Sequence, residues 1–163
     1  MAERAWIRGA QNGSVDDLER LFREHWPRAF RAARLVTGDA AAAEDIAQEA
    51  FLAAVRNLDR FDHRRPFAPW LHRIVVNRAI DWTRARWLRA EVELSDHLPA
   101  PAFEPDGDTF ARIGALPPEH RAVVVLRYVL EYTPGEIAKL LDLPRGTVNS
   151  RLRRGLDRMK EDA

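Results

Sequence analysis

The carboxy-terminal stretch 133–160, TPGEIAKLLDLPRGTVNSRLRRGLDRMK, constrains the fold of this chain more than any other segment. Thr133 and Glu136 have the spacing of a capping box, and Pro134 stands where a first helical residue tolerates proline. A short helix is predicted to bury Ile137, Leu140 and Leu141. After the sequence DLP, a second helix predicted from about Arg145 buries Val148, Leu152, Leu156 and Met159. Two short helices joined in this way form a helix-turn-helix.

The opposite face of the second helix is polar and cationic. It carries Gly146, Asn149, Ser150, Arg153 and Arg154, with Arg145 and Arg151 on its flanks. An arginine-rich helix end can also be an ordinary solvated face that complements the helix dipole. The register here favours DNA, because these side-chain types bond to base edges and phosphates, and the second helix of such a motif enters the major groove. The motif alone does not name a protein class, because several classes share it.

Charge is distributed unevenly along the chain, although the formal net charge is only +1. The segment 60–89 has eight arginines against two aspartates, and the segment 91–108 has six acidic residues without any lysine or arginine. The segment 143–160 has six basic residues against one aspartate. Two basic blocks therefore flank an acidic spacer.

Several function classes are disfavoured by residue types. The chain has no cysteine, which excludes disulfides and thiolate chemistry, and it has neither a membrane-length apolar run nor a signal-peptide core. The five histidines are scattered, and the acidic residues Glu44, Asp45 and Glu49 lack the histidine partners of a helical metal site. We therefore expect a cytoplasmic protein that is not an enzyme and that uses no metal or cofactor.

The first half of the chain predicts two long helices. Ser14 can cap a helix whose apolar positions follow the helical period, and Pro27 is expected to kink or divide that helix. Gly38 is a predicted helix end, and Asp39 can cap the next helix, which is expected over 40–61.

One face of this second predicted helix carries Asp45, Gln48, Glu49 and Leu52, with Arg56 and Asp59 beyond them. Periodicity alone leaves open whether this is only a solvated face. A leucine among clustered carboxylates is suited to docking on a basic partner helix, which favours a protein-contact surface.

A third helix is predicted over 70–88, after a basic loop at 62–69 that contains two prolines. One face of this helix carries residues spaced four, four and three apart, namely Arg73, Asn77, Asp81 and Arg84. A basic helix with an amide, next to a basic loop, is suited to phosphate contact and to base-edge recognition.

The sequence as a whole predicts an all-α chain of two small helical domains. The first domain covers 14–89, and an acidic, proline-containing linker covers 90–108. The second domain covers 109–161 and ends in the helix-turn-helix. It is near the lower size limit for independent stability, so we expect it to be marginal on its own.

Four segments together resemble the extracytoplasmic-function (ECF) class of bacterial sigma factors. They are AEDIAQEAF at 43–51, RPFAPWLHRIVVNRAID at 65–81, LPPEHRAVVVLR at 116–127 and GTVNSRLRRG at 146–155. They occur in the family's order and with its spacing, over about residues 21–159. The resemblance implies a non-catalytic subunit that binds core RNA polymerase and directs promoter-specific transcription initiation.

The resemblance also implies partners. Asp45, Gln48 and Glu49, on the face that includes Leu52, match the family's docking surface for the clamp helices of the largest polymerase subunit. The polymerase flap and promoter DNA are further expected partners. An anti-sigma protein is another, because domains of this family are sequestered by such proteins. No insertion into a membrane is expected.

Two sets of residues match the promoter contacts of the family. The minus 10 set is Arg64, Arg65, Phe67, Arg73, Asn77, Asp81 and Arg84, and its loop is expected to hold a flipped base. The minus 35 set is Arg145, Gly146, Thr147, Asn149, Ser150, Arg151, Arg153 and Arg154. Many relatives have a basic residue where Asn149 stands, and asparagine is better suited to adenine.

The alternative to a sigma factor is a stand-alone helix-turn-helix regulator that dimerises and binds a palindrome. The amino-terminal half carries its own basic helix and no obvious dimerisation seam. These features favour the sigma factor.

Overall fold

The computed structural model describes residues 2–92 and 108–161, and this part of the chain contains helices and no strand. The all-α prediction is therefore confirmed. In chain order the helices are α1 (Ala2–Gln11), α2 (Val15–Thr37), α3 (Ala40–Arg56), a 3₁₀ turn (Leu58–Arg60), α4 (Phe67–Val92), α5 (Asp108–Gly114), α6 (Pro118–Tyr128), α7 (Pro134–Leu141) and α8 (Arg145–Glu161).

Local capping signals define the helix ends in the first half of the chain. The Ser14 hydroxyl accepts a hydrogen bond from the Asp17 backbone N–H at 3.2 Å, and the Asp39 carboxylate accepts one from the Ala42 N–H at 3.0 Å. Gly38 ends α2 with a φ of 70°, a left-handed conformation that glycine adopts without steric cost. These caps and this helix end were predicted correctly.

Three features of the first half differ from the sequence predictions. Residues 2–11 form α1, which packs against α2 and buries Ile7, although no helix was predicted there. Helix α2 continues through Pro27 and is not divided. Pro27 is exposed, so water can satisfy the carbonyl that loses its helical partner. Helix α3 ends at Arg56, not near residue 61, because the Asn57 side chain donates back to the Ala53 carbonyl at 2.8 Å.

Helix α4 is longer than predicted at both ends. It begins at Phe67, because Pro69 falls in the first helical turn, where a missing N–H breaks no intrahelical bond. It continues to Val92, so the first residues of the predicted linker 90–108 are helical. Residues 93–107 of that linker lie outside the described residues, and Asp108 begins α5.

One continuous hydrophobic core runs through both domains. In the first domain α2, α3 and α4 pack on one another, and the buried side chains include Leu21, Leu35, Ile46, Leu71 and Val75. In the second domain α6 packs on α8, and α7 packs on both, with Val123, Leu126, Ile137 and Val148 buried. The apolar positions predicted at Val148, Leu152 and Ile137 are confirmed as buried.

The two domains pack directly against each other. Helices α5 and α6 contact α2, and helices α6 and α7 contact α4. Arg121 on α6 is 3% exposed, and its guanidinium donates to the carbonyls of Val36, Gly114 and Leu116 at 2.6, 2.7 and 3.0 Å. Burial lowers the pKa of Arg121 to about 10. Because Val36 belongs to the first domain, this arginine connects the two domains.

Three further polar contacts cross the domain interface. The Arg28 guanidinium donates to the Leu130 carbonyl at 3.1 Å. Arg84 Nε donates to Glu119 Oε1 at 2.7 Å. His72 Nδ1 and the Tyr132 hydroxyl share a hydrogen bond of 2.6 Å in a buried position, and burial raises the pKa of Tyr132 to about 12. These contacts hold α4 and α2 against the second domain.

Acidification is expected to destabilise the protein through His72. Burial, assisted by the charges of Arg28 and His25, lowers the pKa of His72 from 6.5 to about 4. Because the folded-state pKa lies below the unfolded one, the contribution of neutral His72 is fully present above pH 6.5 and is lost as the pH falls towards 4. The loss approaches roughly 3 kcal/mol at the acidic end of this window.

Urea unfolding at several pH values between 6.5 and 4 checks this expectation. The matched variant is His72→Gln, which keeps a polar side chain at the interface but does not titrate. Its unfolding free energy should fall less steeply with acidification than that of the unchanged protein. Equal slopes for the two proteins would assign the pH dependence to other groups.

Candidate DNA and polymerase interfaces

The predicted docking residues lie together on the outer face of α3. Asp45, Gln48, Glu49 and Leu52 are all exposed, and Leu52 keeps 55% of its surface accessible. They follow the helical repeat on the side opposite the buried Ile46, Ala47 and Ala50. Glu49 forms an exposed ion pair with Arg78 at 3.1 Å, which contributes little to stability because water screens it.

An apolar extension of this face was missed from the sequence. Val55 follows Leu52 by three residues on α3, and it is 39% exposed. Phe22 on α2 is 40% exposed, while its ring contacts Trp26 and Phe51. Phe22 and Val55 line the same small crevice. The acidic face of α3 therefore continues into an apolar patch shared by α2 and α3.

The predicted minus 10 residues on α4 share one exposed face. Arg73, Asn77, Asp81 and Arg84 are all exposed, in agreement with their spacing. In the preceding loop Arg64 and Arg65 are also exposed. Arg64 Nε and Nη2 donate to the Asp62 carboxylate at 3.0 and 3.1 Å, and these bonds hold the pKa of Asp62 at about 2. In this loop Arg64 is therefore held by Asp62, whereas Arg65 makes no hydrogen bond to that carboxylate.

Phe67 is the exception in the minus 10 set. It is 3% exposed, and its ring packs on Phe61, Trp70 and His25 at centroid distances of 5.9, 5.8 and 5.0 Å. As the first residue of α4 it anchors the helix start in the aromatic core of the first domain. In this packing the buried ring offers no face to a base, and a contact of Phe67 with DNA stays a prediction.

Glu119 on α6 lies next to both predicted DNA-binding surfaces. It accepts a hydrogen bond from Arg84 at 2.7 Å, and Arg151 on α8 also influences its titration. Partial burial alone would raise the pKa of Glu119. The Arg84 hydrogen bond, the helix backbone and the charges of Arg84 and Arg151 outweigh this effect, so the pKa is lowered. This carboxylate gave no signal in the sequence, where it stands as an ordinary helix-start acid.

The helix-turn-helix has the predicted geometry. Thr133 and Glu136 form a reciprocal capping box at 3.0 and 3.2 Å, which starts α7. Asp142 ends α7 in a left-handed conformation with a φ of 53°, and Arg145 begins α8. Helix α8 approaches α6 closely at Gly155, where a Cβ atom would lie 3.0 Å from the Val124 side chain.

The predicted minus 35 residues line the outer surface of α8. Arg145, Gly146, Asn149, Arg153 and Arg154 are exposed, whereas Thr147, Ser150 and Arg151 are half-buried. Val148, Leu152 and Gly155 face the core. A single helix face thus combines an amide, a hydroxyl and several guanidinium groups, which are the groups that read base edges and bind phosphates.

The described parts of the chain contain neither a metal-ligand cluster nor a membrane-spanning helix. Within residues 2–92 and 108–161, no cluster of three acidic or histidine side chains could hold a metal ion. None of the helices described is both long and apolar enough to cross a membrane.

Family comparisons match both halves of the chain. The family model for "Sigma-70 region 2" matches residues 21–89, and the family model for "Sigma-70, region 4" matches residues 110–159. The ECF RNA polymerase sigma factor SigW of Bacillus subtilis is 32% identical over an alignment of 174 positions, gaps included. The alignment covers 95% of this chain and 93% of SigW. The chain belongs to the ECF family of RNA polymerase sigma factors.

Other members of the family agree with this assignment. The ECF sigma factor SigE of Mycolicibacterium smegmatis is 33% identical over 155 residues, covering 88% of this chain and 60% of SigE. Among solved structures, CnrH in complex with the cytosolic domain of CnrY has 27% identity and a TM-score of 0.74, covering 99% of this chain and 96% of CnrH. Sigma factors are non-enzymatic initiation factors. Membership in this family therefore favours a sigma factor over a stand-alone regulator and over an enzyme.

Proposed function

We propose that this chain binds core RNA polymerase and directs promoter-specific transcription initiation in the cytoplasm. The first domain, 14–89, docks on the polymerase and engages the minus 10 element. The linker, 90–108, connects it to the second domain, 109–161, which engages the minus 35 element. The observation that carries this proposal is the presence, in one ECF sigma chain, of an exposed acidic and apolar docking face and two separate basic helix faces.

The docking face on α3 supports the polymerase contact. Asp45 and Glu49 place two carboxylates beside the exposed Leu52, so a basic helix with apolar side chains can pair its charges there and bury the leucine. We assign this face to the clamp helices of the largest polymerase subunit. We assign the contact with the polymerase flap to the second domain.

The two basic faces support contacts with the two promoter elements. On α4 the exposed Arg73, Asn77 and Arg84 can bind phosphates and base edges of the minus 10 element, together with Arg64 and Arg65. On α8 the exposed Asn149, Arg153 and Arg154 can bind bases of the minus 35 element, where asparagine favours adenine and arginine favours guanine. Buried Phe67 takes no part while the present packing persists.

The packed arrangement of the domains bears on regulation. Arg84 Nε is paired with Glu119 across the domain interface, so a contact of Arg84 with DNA competes with that pair. CnrH, to which this chain is similar over both domains, was solved with the cytosolic domain of CnrY. We propose that an anti-sigma protein holds this chain in the packed form and that binding to polymerase separates the domains.

Run-off transcription with purified core RNA polymerase and a genomic promoter library tests the proposed function. Transcripts that require this protein and share two upstream elements are the expected result, and a pull-down of core polymerase should recover the chain. If the chain neither bound core polymerase nor started transcripts, but shifted palindromic DNA as a dimer, the stand-alone regulator would replace the sigma proposal.

Replacing Arg154 with alanine is expected to relax recognition of the minus 35 element. An arginine that bonds to a base edge contributes ~1–3 kcal/mol of discrimination, so selectivity at one base pair should fall by that amount. Run-off transcription on templates substituted one base pair at a time measures the change. The control is Lys160→Ala, which removes an exposed cation at the far end of α8. Unchanged selectivity in Arg154→Ala would remove this residue from the reading set.

A further inference from the structure

A cleft of about 820 Å³ lies between the two domains. One wall is formed by residues 57–74 of the first domain, and the other by residues 132–140 of the second. This volume is typical of small-molecule pockets, which occur preferentially at domain interfaces. Because each domain supplies one wall, the cleft exists only while the two domains are packed together.

Four cationic side chains line this interdomain cleft, namely Arg60, Arg65, Arg73 and Lys139. Within the described parts of the chain, none of these four side chains makes a hydrogen bond or an ion pair. All four are exposed, so their charges remain hydrated and available to a ligand. The cleft thus gathers positively charged side chains from both domains.

The two carboxylates that line the cleft attract two of these cations, Asp62 attracting Arg65 and Glu136 attracting Lys139, but their hydrogen bonds go to other groups. Asp62 is engaged by Arg64, which donates to it from the backbone and from the guanidinium at 3.0–3.1 Å. Glu136 accepts a hydrogen bond from the Thr133 backbone N–H at 3.0 Å as part of the capping box. Four cations outnumber two anions along the cleft, so a net positive charge remains.

Apart from Asn57, the other residues that line the cleft are aromatic, aliphatic or proline. Phe61 and Trp70 stack at a centroid distance of 4.6 Å on the first-domain side. Ile74 adds to that wall, and Tyr132 and Leu140 line the second-domain side. A flat apolar surface bordered by several cations matches a ligand that combines a planar ring with more than one phosphate.

We propose that the interdomain cleft binds a nucleoside polyphosphate, with the base against the aromatic wall and the phosphates among the four cations. A DNA strand fits this cleft less well. The second wall of the cleft belongs to the second domain, and this wall is lost when the domains separate, as we propose for promoter binding. The bound ligand bridges Arg65 and Arg73 of one domain to Lys139 of the other. Binding therefore stabilises the packed arrangement.

This inference has a regulatory consequence, which rests on the proposed sigma function. Arg65 and Arg73 belong to the minus 10 set, so an occupied cleft withholds them from the promoter. The ligand also preserves the packing in which Arg84 is paired with Glu119. A nucleoside polyphosphate is accordingly expected to oppose promoter engagement.

Isothermal titration calorimetry of the full chain with GTP and with ATP tests the site, without polymerase or DNA. At least one of the two nucleotides is expected to bind with a micromolar Kd. Lys139→Gln should raise that Kd by on the order of tenfold, because it removes a charged hydrogen-bond donor. Lys160→Gln removes the only other lysine of the chain, which lies on α8 outside the cleft, and should change Kd by less than about twofold.

Several outcomes would overturn the proposal. The first is a failure of the expected binding, seen either as no binding of either nucleotide up to about 1 mM or as equal weakening by both lysine variants. The second is equal affinity for inorganic tripolyphosphate, which would show that the nucleoside is not recognised. The third is tighter, Lys139-dependent binding of a short oligothymidylate, which would make the cleft a single-strand site. Because polymerase is absent from the assay, each result is independent of whether the chain acts as a sigma factor.

Discussion

Replacing Asp45 and Glu49 together with lysine is expected to abolish binding to core RNA polymerase. Both carboxylates are exposed on the face of α3 that carries Leu52, so the change places two positive charges where a basic partner helix is proposed to dock. Like charges brought together in an interface cost several kcal/mol, which corresponds to a loss of affinity of roughly a hundredfold or more. Core affinity measured by fluorescence anisotropy checks this result.

The control for this charge reversal is Asp157→Lys with Glu161→Lys. Both residues are exposed on α8, they have the same four-residue spacing, and their replacement changes the net charge by the same amount. This control should keep wild-type affinity for core polymerase, and both proteins should keep a helical circular dichroism spectrum. Wild-type affinity in the Asp45 and Glu49 variant would place the docking surface elsewhere.

The helix-turn-helix and the helix caps could be predicted from the sequence because their determinants are local. The Thr133 and Glu136 capping box involves residues three apart, and the left-handed end at Gly38 depends on one residue. The exposed faces of α3, α4 and α8 follow from helical periodicity in the same way. Most residues of the three candidate interfaces were therefore placed on exposed surface correctly.

The interdomain packing could not be predicted, because its determinants are distant in sequence and chemically ordinary. Arg121 stands in a predicted helix, where an arginine is usually exposed, yet it reaches the Val36 carbonyl 85 positions away. Glu119 resembles any acid at a helix start until α4 brings Arg84 to within 2.7 Å of it. Helical periodicity predicts which face of a helix is apolar. It does not predict which polar group, distant in sequence, contacts that helix.

Phe67 and Phe22 show the same limit for apolar residues. The loop motif suggested that Phe67 is presented to DNA, but the start of α4 turns its ring into an aromatic cluster with Phe61 and Trp70. Phe22 follows the buried stripe of α2, but it lies at the edge of the contact with α3 and stays 40% exposed. Which residues of a stripe lie at its edge depends on where the neighbouring helix ends, and a single helix pattern does not contain that information.

Replacing Arg121 with alanine is expected to lower the unfolding free energy by about 3–5 kcal/mol, because the carbonyls of Val36, Gly114 and Leu116 lose a buried donor and a cavity remains. All five tryptophans lie in residues 6–87, so their fluorescence in urea reports the first domain, whereas far-ultraviolet circular dichroism reports both domains. In the unchanged protein the two transitions should coincide. In Arg121→Ala the dichroism transition should begin at lower urea, because the second domain loses its hydrogen bond to α2.

The control is Arg153→Ala, which removes an exposed arginine. It should leave both transitions within about 0.5 kcal/mol of the unchanged protein. Coincident transitions and a loss below about 1 kcal/mol in Arg121→Ala would show that other contacts, such as the bond between His72 and Tyr132, hold the domains together without it.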